Sequence, residues 1–83
     1  MNHSDKERLI SLLMEIVEGR IRLEDVIQEI VAFENTKSNT VVTTACHKIR
    51  HFDIDADLRA SDQAYDVLMK KNMYDLIEKI RNL

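Results

Sequence analysis

The sequence contains no proline and a single glycine, Gly19, in 83 residues. Sheet proteins need turn residues between their strands, and glycine and proline are the strongest of these. Because helices need far fewer such breaks, this scarcity favours an all-helical fold. Hydrophobic residues make up 45% of the chain and charged residues 33%, which is typical of a folded soluble protein. The length leaves room for one domain, residues 1–83.

Apolar residues recur at helical spacing in four stretches of the chain. They predict helices over residues 5–18, 23–35, 40–52 and 67–82. Ser4 and Glu7 have the spacing of a capping box before the first helix, and Gly19 supplies the left-handed residue that ends it. Four amphipathic helices with short connections predict an antiparallel four-helix bundle.

The start of the third helix has a competing interpretation. The residues from Thr40 to Thr44 are all β-branched, which locally favours a strand. Helix is nevertheless expected, because no second strand is available to pair with it. Ser38 or Asn39 would then cap this helix.

The stretch from residue 52 to residue 66 is predicted to be the least helical part of the chain. It is rich in aspartate, which favours turns and helix caps. Ser61 or Asp66 would cap the final helix.

Negative charge is concentrated in the same region. Residues 53–68 carry five Asp and one Arg, a net charge of −4, whereas the whole chain has a net charge of −3. Clustered carboxylates repel one another, and a basic partner would relieve this repulsion and be steered toward them. The alternative is that these aspartates only cap helices and form turns.

We favour the binding interpretation for the set as a whole. Tyr65 and Arg59 are included because both residue types are over-represented among interface anchors. The candidate partner-binding residues are Asp53, Asp55, Asp57, Arg59, Asp62, Tyr65 and Asp66.

One stretch of this region resembles a known family. The string Phe52-Asp53-Ile54-Asp55-Ala56-Asp57-Leu58-Arg59 is similar to the acidic stretch of the colicin D immunity proteins and related colicin-like immunity proteins. The starts of the first two helices, residues 9–13 and 19–26, fit the same family, as does the amphipathic end, residues 76–83. The resemblance implies a small four-helix protein.

The resemblance also implies a function, that of a toxin antidote. Such a protein binds the tRNA-cleaving C-terminal domain of a toxin in the cytoplasm and blocks its active site. The toxin is delivered as a colicin or by a contact-dependent inhibition system. By position, Asp53, Asp55 and Asp57 would face this basic nuclease domain. Direct nucleic-acid binding is not expected, because the chain as a whole is acidic.

Catalysis and metal binding are weighed at Cys46, His47 and His51. His47 and His51 are four residues apart on one predicted helix, which suits two metal ligands, and Asp53 or Asp55 could be a third. The simpler interpretation is two surface histidines and a small core cysteine. Neighbours on a helix point about 100° apart, so Cys46 and His47 do not face each other as nucleophile and base. No metal, cofactor or enzymatic activity is therefore expected.

A second function remains open, that of a small helical dimerisation or adaptor module of a regulator. It would self-associate through its apolar stripes, and a homodimer is also compatible with the antidote hypothesis. The polar N-terminus is unlike a signal peptide, and charge interrupts every apolar run, so neither secretion nor membrane binding is expected. A lone cysteine points to a reducing compartment, which makes the cytoplasm the expected location.

Overall fold

The chain folds into five helices in the computed structural model, which describes residues 2–36 and 39–83 and, at residue 36, the backbone alone. The helices are α1 His3–Val17, α2 Leu23–Thr36, α3 Thr40–Ile54, α4 Ala56–Ser61 and α5 Gln63–Arg81. Within those ranges there is no strand, so the all-helical prediction is confirmed. The β-branched run that begins at Thr40 forms the first turn of α3, as its context predicted.

Two of the helices, α1 and α3, are capped at their starts by asparagine. The Asn2 side chain accepts a hydrogen bond from the Asp5 amide at 2.8 Å, so α1 begins before the predicted cap, Ser4. Serine and asparagine are equally good caps, which is why the sequence could not choose between them. Asn39 caps α3 and accepts a hydrogen bond from the Val41 amide at 2.8 Å. The other predicted cap of this helix, Ser38, lies outside the described residues.

Gly19 ends α1 as predicted. Its φ of 76° is left-handed, a conformation that other residues adopt at a cost. The Gly19 amide donates to the Ile16 carbonyl at 3.1 Å, and the Arg20 amide donates to the Glu15 carbonyl at 2.9 Å. These two bonds form a Schellman motif, which satisfies carbonyls that the end of the helix would otherwise leave without a donor.

The predicted connection between residues 52 and 66 is wrong, because most of it is helical. Here α3 extends to Ile54, α4 follows almost at once, and α5 begins at Gln63. The cap of α5 is Asp62, which accepts a hydrogen bond from the Tyr65 amide at 3.1 Å, rather than Ser61 or Asp66. The alanine, leucine and arginine residues of α4 are strong helix formers. The negative charge of Asp57 in the first turn stabilises the helix by interacting favourably with its dipole.

The hydrophobic core is built by the four long helices. Fully buried side chains include Leu9 and Leu13 of α1, Ile30 of α2, Ile49 of α3 and Ile80 of α5. The most extensive packing is between α1 and α5, between α2 and α3, and between α3 and α5, whereas α1 contacts α2 and α3 less extensively. No residue of α4 is buried, and this short helix rests against α5 and α3.

The start of α1 lies beside the C-terminal residue, Leu83. The Lys6 ammonium near the start of α1 donates to the backbone carbonyl of Leu83 at 3.1 Å, so α1 and α5 run in opposite directions. In the part of the chain that the structure describes, no helix has the length and apolar character needed to cross a bilayer.

Candidate partner-binding surface

Arg59 fastens α4 to the end of α3. Its Nε and Nη2 donate to the Phe52 carbonyl at 3.1 Å and 2.7 Å, and its guanidinium carbon lies 3.5 Å from the centroid of the Phe52 ring. The Phe52 carbonyl belongs to the last turn of α3, where carbonyls have no partner within the helix and a cation is favoured. The Arg59 side chain is only 14% exposed, so this cation points into the protein.

Asp66 continues the same network onto α5. It lies 3.2 Å from Arg59 Nη1 and 2.9 Å from the Lys70 ammonium. The hydrogen bond from Lys70, together with that from Arg59, holds the pKa of Asp66 below its ordinary value, against a smaller opposing effect of burial. Its charge is therefore already balanced by two cations of the same chain.

Asp55 occupies the junction between α3 and α4, where the helix is interrupted at ψ 12°. The Tyr65 hydroxyl donates to Asp55 Oδ2 at 2.7 Å, and this bond raises the pKa of Tyr65. The bond ties the first turn of α5 to the junction. Asp62 also has a structural role, because its side chain caps α5, although that side chain is exposed.

The remaining two aspartates point outward. Asp53, in the last turn of α3, and Asp57, in the first turn of α4, are both exposed, and neither forms an ion pair with any described residue. Two apolar side chains beside them, Ile54 and Leu58, are 75% and 49% exposed. We call these four residues the junction surface.

A half-open groove of about 530 Å³ runs between α3 and α5. Phe52, Met69 and Met73 contribute apolar side chains to it, and Lys48 and Lys79 are among its polar residues. Met73 is buried, and Met69 is half-buried against the core, as expected for methionines that fill apolar space.

The residues weighed as metal ligands face different surroundings. Cys46 is fully buried, His47 Nε2 lies 3.8 Å from Glu34 Oε1 of α2, and His51 lines the groove toward α5. Over residues 2–36 and 39–83 there is no group of three or more histidine, cysteine, aspartate or glutamate side chains that could hold a metal ion. Burial, and to a lesser extent the charge of Glu34, raises the pKa of the Cys46 thiol to about 11.

The buried thiol should be inert in the folded protein. At pH 8 we expect Ellman's reagent to label Cys46 only after the protein is unfolded in urea, because the reactive thiolate is disfavoured by burial. Above pH 9 the unfolded chain loses this proton while the folded chain keeps it, so stability should fall as the pH rises toward 11. Rapid labelling without denaturant would contradict the buried position.

Glu34 and Arg50 form a cross-helix pair that the sequence did not suggest. Arg50 Nη2 of α3 lies 3.2 Å from Glu34 Oε2 of α2, and the Glu34 side chain is 16% exposed. Although the charges are close, Glu34 Oε2 and Arg50 Nε make no hydrogen bond of good geometry with the described residues. The pair joins α2 to α3, and no sequence signal connects positions on separate helices.

The seven predicted binding residues thus fall into groups with different surroundings. Arg59 and Asp66 face each other within the fold, Asp55 and Tyr65 bond to each other, and the other three carboxylates are Asp53, Asp57 and Asp62 at exposed positions. No protein-family model, curated protein or solved structure matches this chain. Its function must therefore be inferred from this surface.

Proposed function

We propose that the chain is an immunity protein that binds the nuclease domain of a bacterial toxin and blocks its active site. The observation that carries this proposal is the exposure of Asp53 and Asp57 on a junction that Arg59 secures from within. A site that cleaves tRNA must be lined with cationic side chains that hold phosphates. Carboxylates held on a helical surface can occupy those phosphate positions.

The local structure supports this role because it limits the motion of the carboxylates. A flexible acidic loop would lose conformational entropy when it docked, whereas a preorganised surface avoids much of that loss. Here Arg59 bonds to the Phe52 carbonyl, Tyr65 bonds to Asp55, and Asp62 caps α5. The side chains that carry these bonds lie behind or beside the junction surface, and Asp53 and Asp57 remain available.

Opposite charge also suits the kinetics that an antidote needs. A toxin must be captured before it reaches its substrate, and electrostatic attraction raises association rates. The net charge of −4 between residues 53 and 68 provides this attraction toward a basic domain. We place the action of the protein in the cytoplasm, where a tRNA-cleaving toxin would meet its substrate.

We further infer that α1, α2, α3 and α5 form the antiparallel four-helix bundle of such immunity proteins, with α4 as an outer addition. The support is the pattern of packing, in which each of the four long helices contacts its neighbours in turn and α4 buries none of its residues. In this arrangement the bundle is the scaffold and the α3–α4 junction is the binding element.

A growth assay tests the proposed function. The C-terminal domain encoded by the gene immediately upstream would be expressed in a bacterial host together with this protein. Wild type should restore growth, and Asp53→Asn/Asp57→Asn should protect about tenfold less well, because rim charges steer association. Growth would be scored as viable counts at graded toxin induction.

The matched control is Glu7→Gln/Glu78→Gln, which removes the same two charges from side chains that are 68% and 61% exposed. It should protect as well as wild type. Equal protection by both double variants would move the interface away from the junction surface. If wild type neither protects nor binds the upstream domain, the immunity function is wrong, and the adaptor hypothesis gains support.

A further inference from the structure

The exposed apolar side chains are concentrated in the same segment of the chain as the negative charge. Among the described residues, six large hydrophobic side chains are exposed, and four of them lie between residues 54 and 68. These four are Ile54 at 75%, Leu58 at 49%, Val67 at 60% and Leu68 at 51%. Single exposed leucines are ordinary, but apolar side chains grouped within a polar rim are typical of interaction sites.

Within residues 53–68, no basic side chain points outward beside these apolar residues. Arg59 is the only basic residue between positions 53 and 68, and its side chain is turned inward onto Phe52. Lys70, one turn further along α5, is paired with Asp66. A basic partner would therefore meet carboxylates and apolar side chains on the junction surface without meeting a repelling charge from this segment.

We propose that Ile54 and Leu58 are the apolar anchors of the complex, and that the partner presents an apolar hollow surrounded by lysine and arginine side chains. This inference rests on the proposed immunity function and divides its interface into two parts. Residues at the centre of an interface that lose all contact with water dominate affinity. Charges at the rim chiefly set the association rate.

A second copy of this chain is a poor occupant of the same surface. A symmetric dimer brings each surface patch against its own copy. The carboxylates of Asp53 and Asp57 would then share one interface with those of the other protomer, and like charges brought together across an interface oppose association. Nucleic acid is disfavoured for the same reason, because its phosphates are also negative.

Rate measurements separate the two parts of the interface. The binding of the purified upstream toxin domain would be followed by stopped-flow and surface plasmon resonance. Ile54→Ala/Leu58→Ala should raise koff by about tenfold to a hundredfold and change kon by less than about threefold, because buried anchors act on dissociation. Asp53→Asn/Asp57→Asn should mainly lower kon and flatten its dependence on salt.

Two controls accompany these variants. Leu83→Ala truncates a leucine that is 46% exposed at the far end of α5 and should leave both rates unchanged. Circular dichroism melts of all variants should agree with wild type, since Ile54 and Leu58 contribute little to the core.

The outcomes distinguish the two proposals. An unchanged koff for Ile54→Ala/Leu58→Ala, with protection by wild type intact, overturns the anchor inference and leaves the immunity function standing. If wild type does not bind the toxin domain, both proposals are wrong. Self-association of wild type in analytical ultracentrifugation that Ile54→Ala/Leu58→Ala abolishes would also overturn the inference, in favour of a contact between copies.

Discussion

Replacing Leu13 with alanine should lower the free energy of unfolding by about 3 kcal/mol, because the change leaves a cavity that close-packed neighbours fill only in part. Leu13 is fully buried in the core, on a helix that packs against α5, α2 and α3. A domain of this length has a total stability of about 4–12 kcal/mol. The midpoint of thermal unfolding should fall by about 15 °C, and urea unfolding followed by circular dichroism at 222 nm would measure the loss.

The matched control for this variant is Leu68→Ala. It removes the same atoms from a helix, but the Leu68 side chain is 51% exposed. Because surface truncations away from special contacts usually change stability by less than about 0.5 kcal/mol, the difference between the two variants measures the contribution of burial. Equal losses in the two variants would contradict the position of Leu13 in the core.

The positions of the four long helices could be predicted because each is marked by a pattern of nearby residues in the sequence. Apolar residues three and four apart mark the buried face of each helix, and Leu9, Leu13, Ile30 and Ile49 belong to such patterns and are fully buried. The end of α1 could likewise be predicted from Gly19, since few other residues accept a positive φ. Helix starts were less certain, because Ser4 and Asn2 have nearly equal capping propensity.

The α3–α4 junction could not be predicted, because it depends on tertiary contacts between different helices. Aspartate is common in turns, so five of them favoured a connection over a helix. What stabilises the helical form is Arg59, whose contacts reach seven residues back to Phe52 and seven forward to Asp66. Both spacings are seven residues, beyond the three- and four-residue spacing of helical neighbours, and each crosses a break between helices, so no pattern of the sequence pointed to these bonds.

The candidate surface remains a prediction, and the structure adds to it two residues that the sequence did not select. Charge drew attention to the aspartates as a set, and the sequence offered Asp66 a capping role but did not show that it pairs with two cations. Ile54 and Leu58 were not selected at all. Their proposed role rests on their exposure, which depends on the helical path of the chain and on the absence of a described helix packed over them.

Arg59 was predicted to contact a partner, but its contacts within the fold lead us to expect that it stabilises the protein. Arg59→Met should lower the free energy of unfolding by about 2 kcal/mol, because two charged hydrogen bonds to the Phe52 carbonyl and the stacking on its ring are lost. Methionine retains much of the apolar stem, so the loss reports on the guanidinium. Urea unfolding monitored by circular dichroism at 222 nm is the measurement.

Two further variants separate the contribution that the shape of the Arg59 guanidinium makes to stability from the contribution of its charge. Arg59→Lys keeps the positive charge but cannot donate the paired bonds of a planar guanidinium while stacking on Phe52, so it should lose most of the same stability. Arg20→Met, at a side chain that is 58% exposed and paired only locally with Glu18, should be nearly neutral. Full stability of Arg59→Lys would mean that charge alone secures the junction.

The Arg59 variants also connect stability to binding. If Arg59 holds the junction in place, Arg59→Met should slow toxin capture although Asp53 and Asp57 are both still present, because the carboxylates would have to be ordered during docking. If Arg59 instead touches the partner, the variant should weaken binding with no loss of stability. Since the side chain is 14% exposed and its bonds end on Phe52 and Asp66, we expect the first pattern, in which the loss of stability and the slower association appear together.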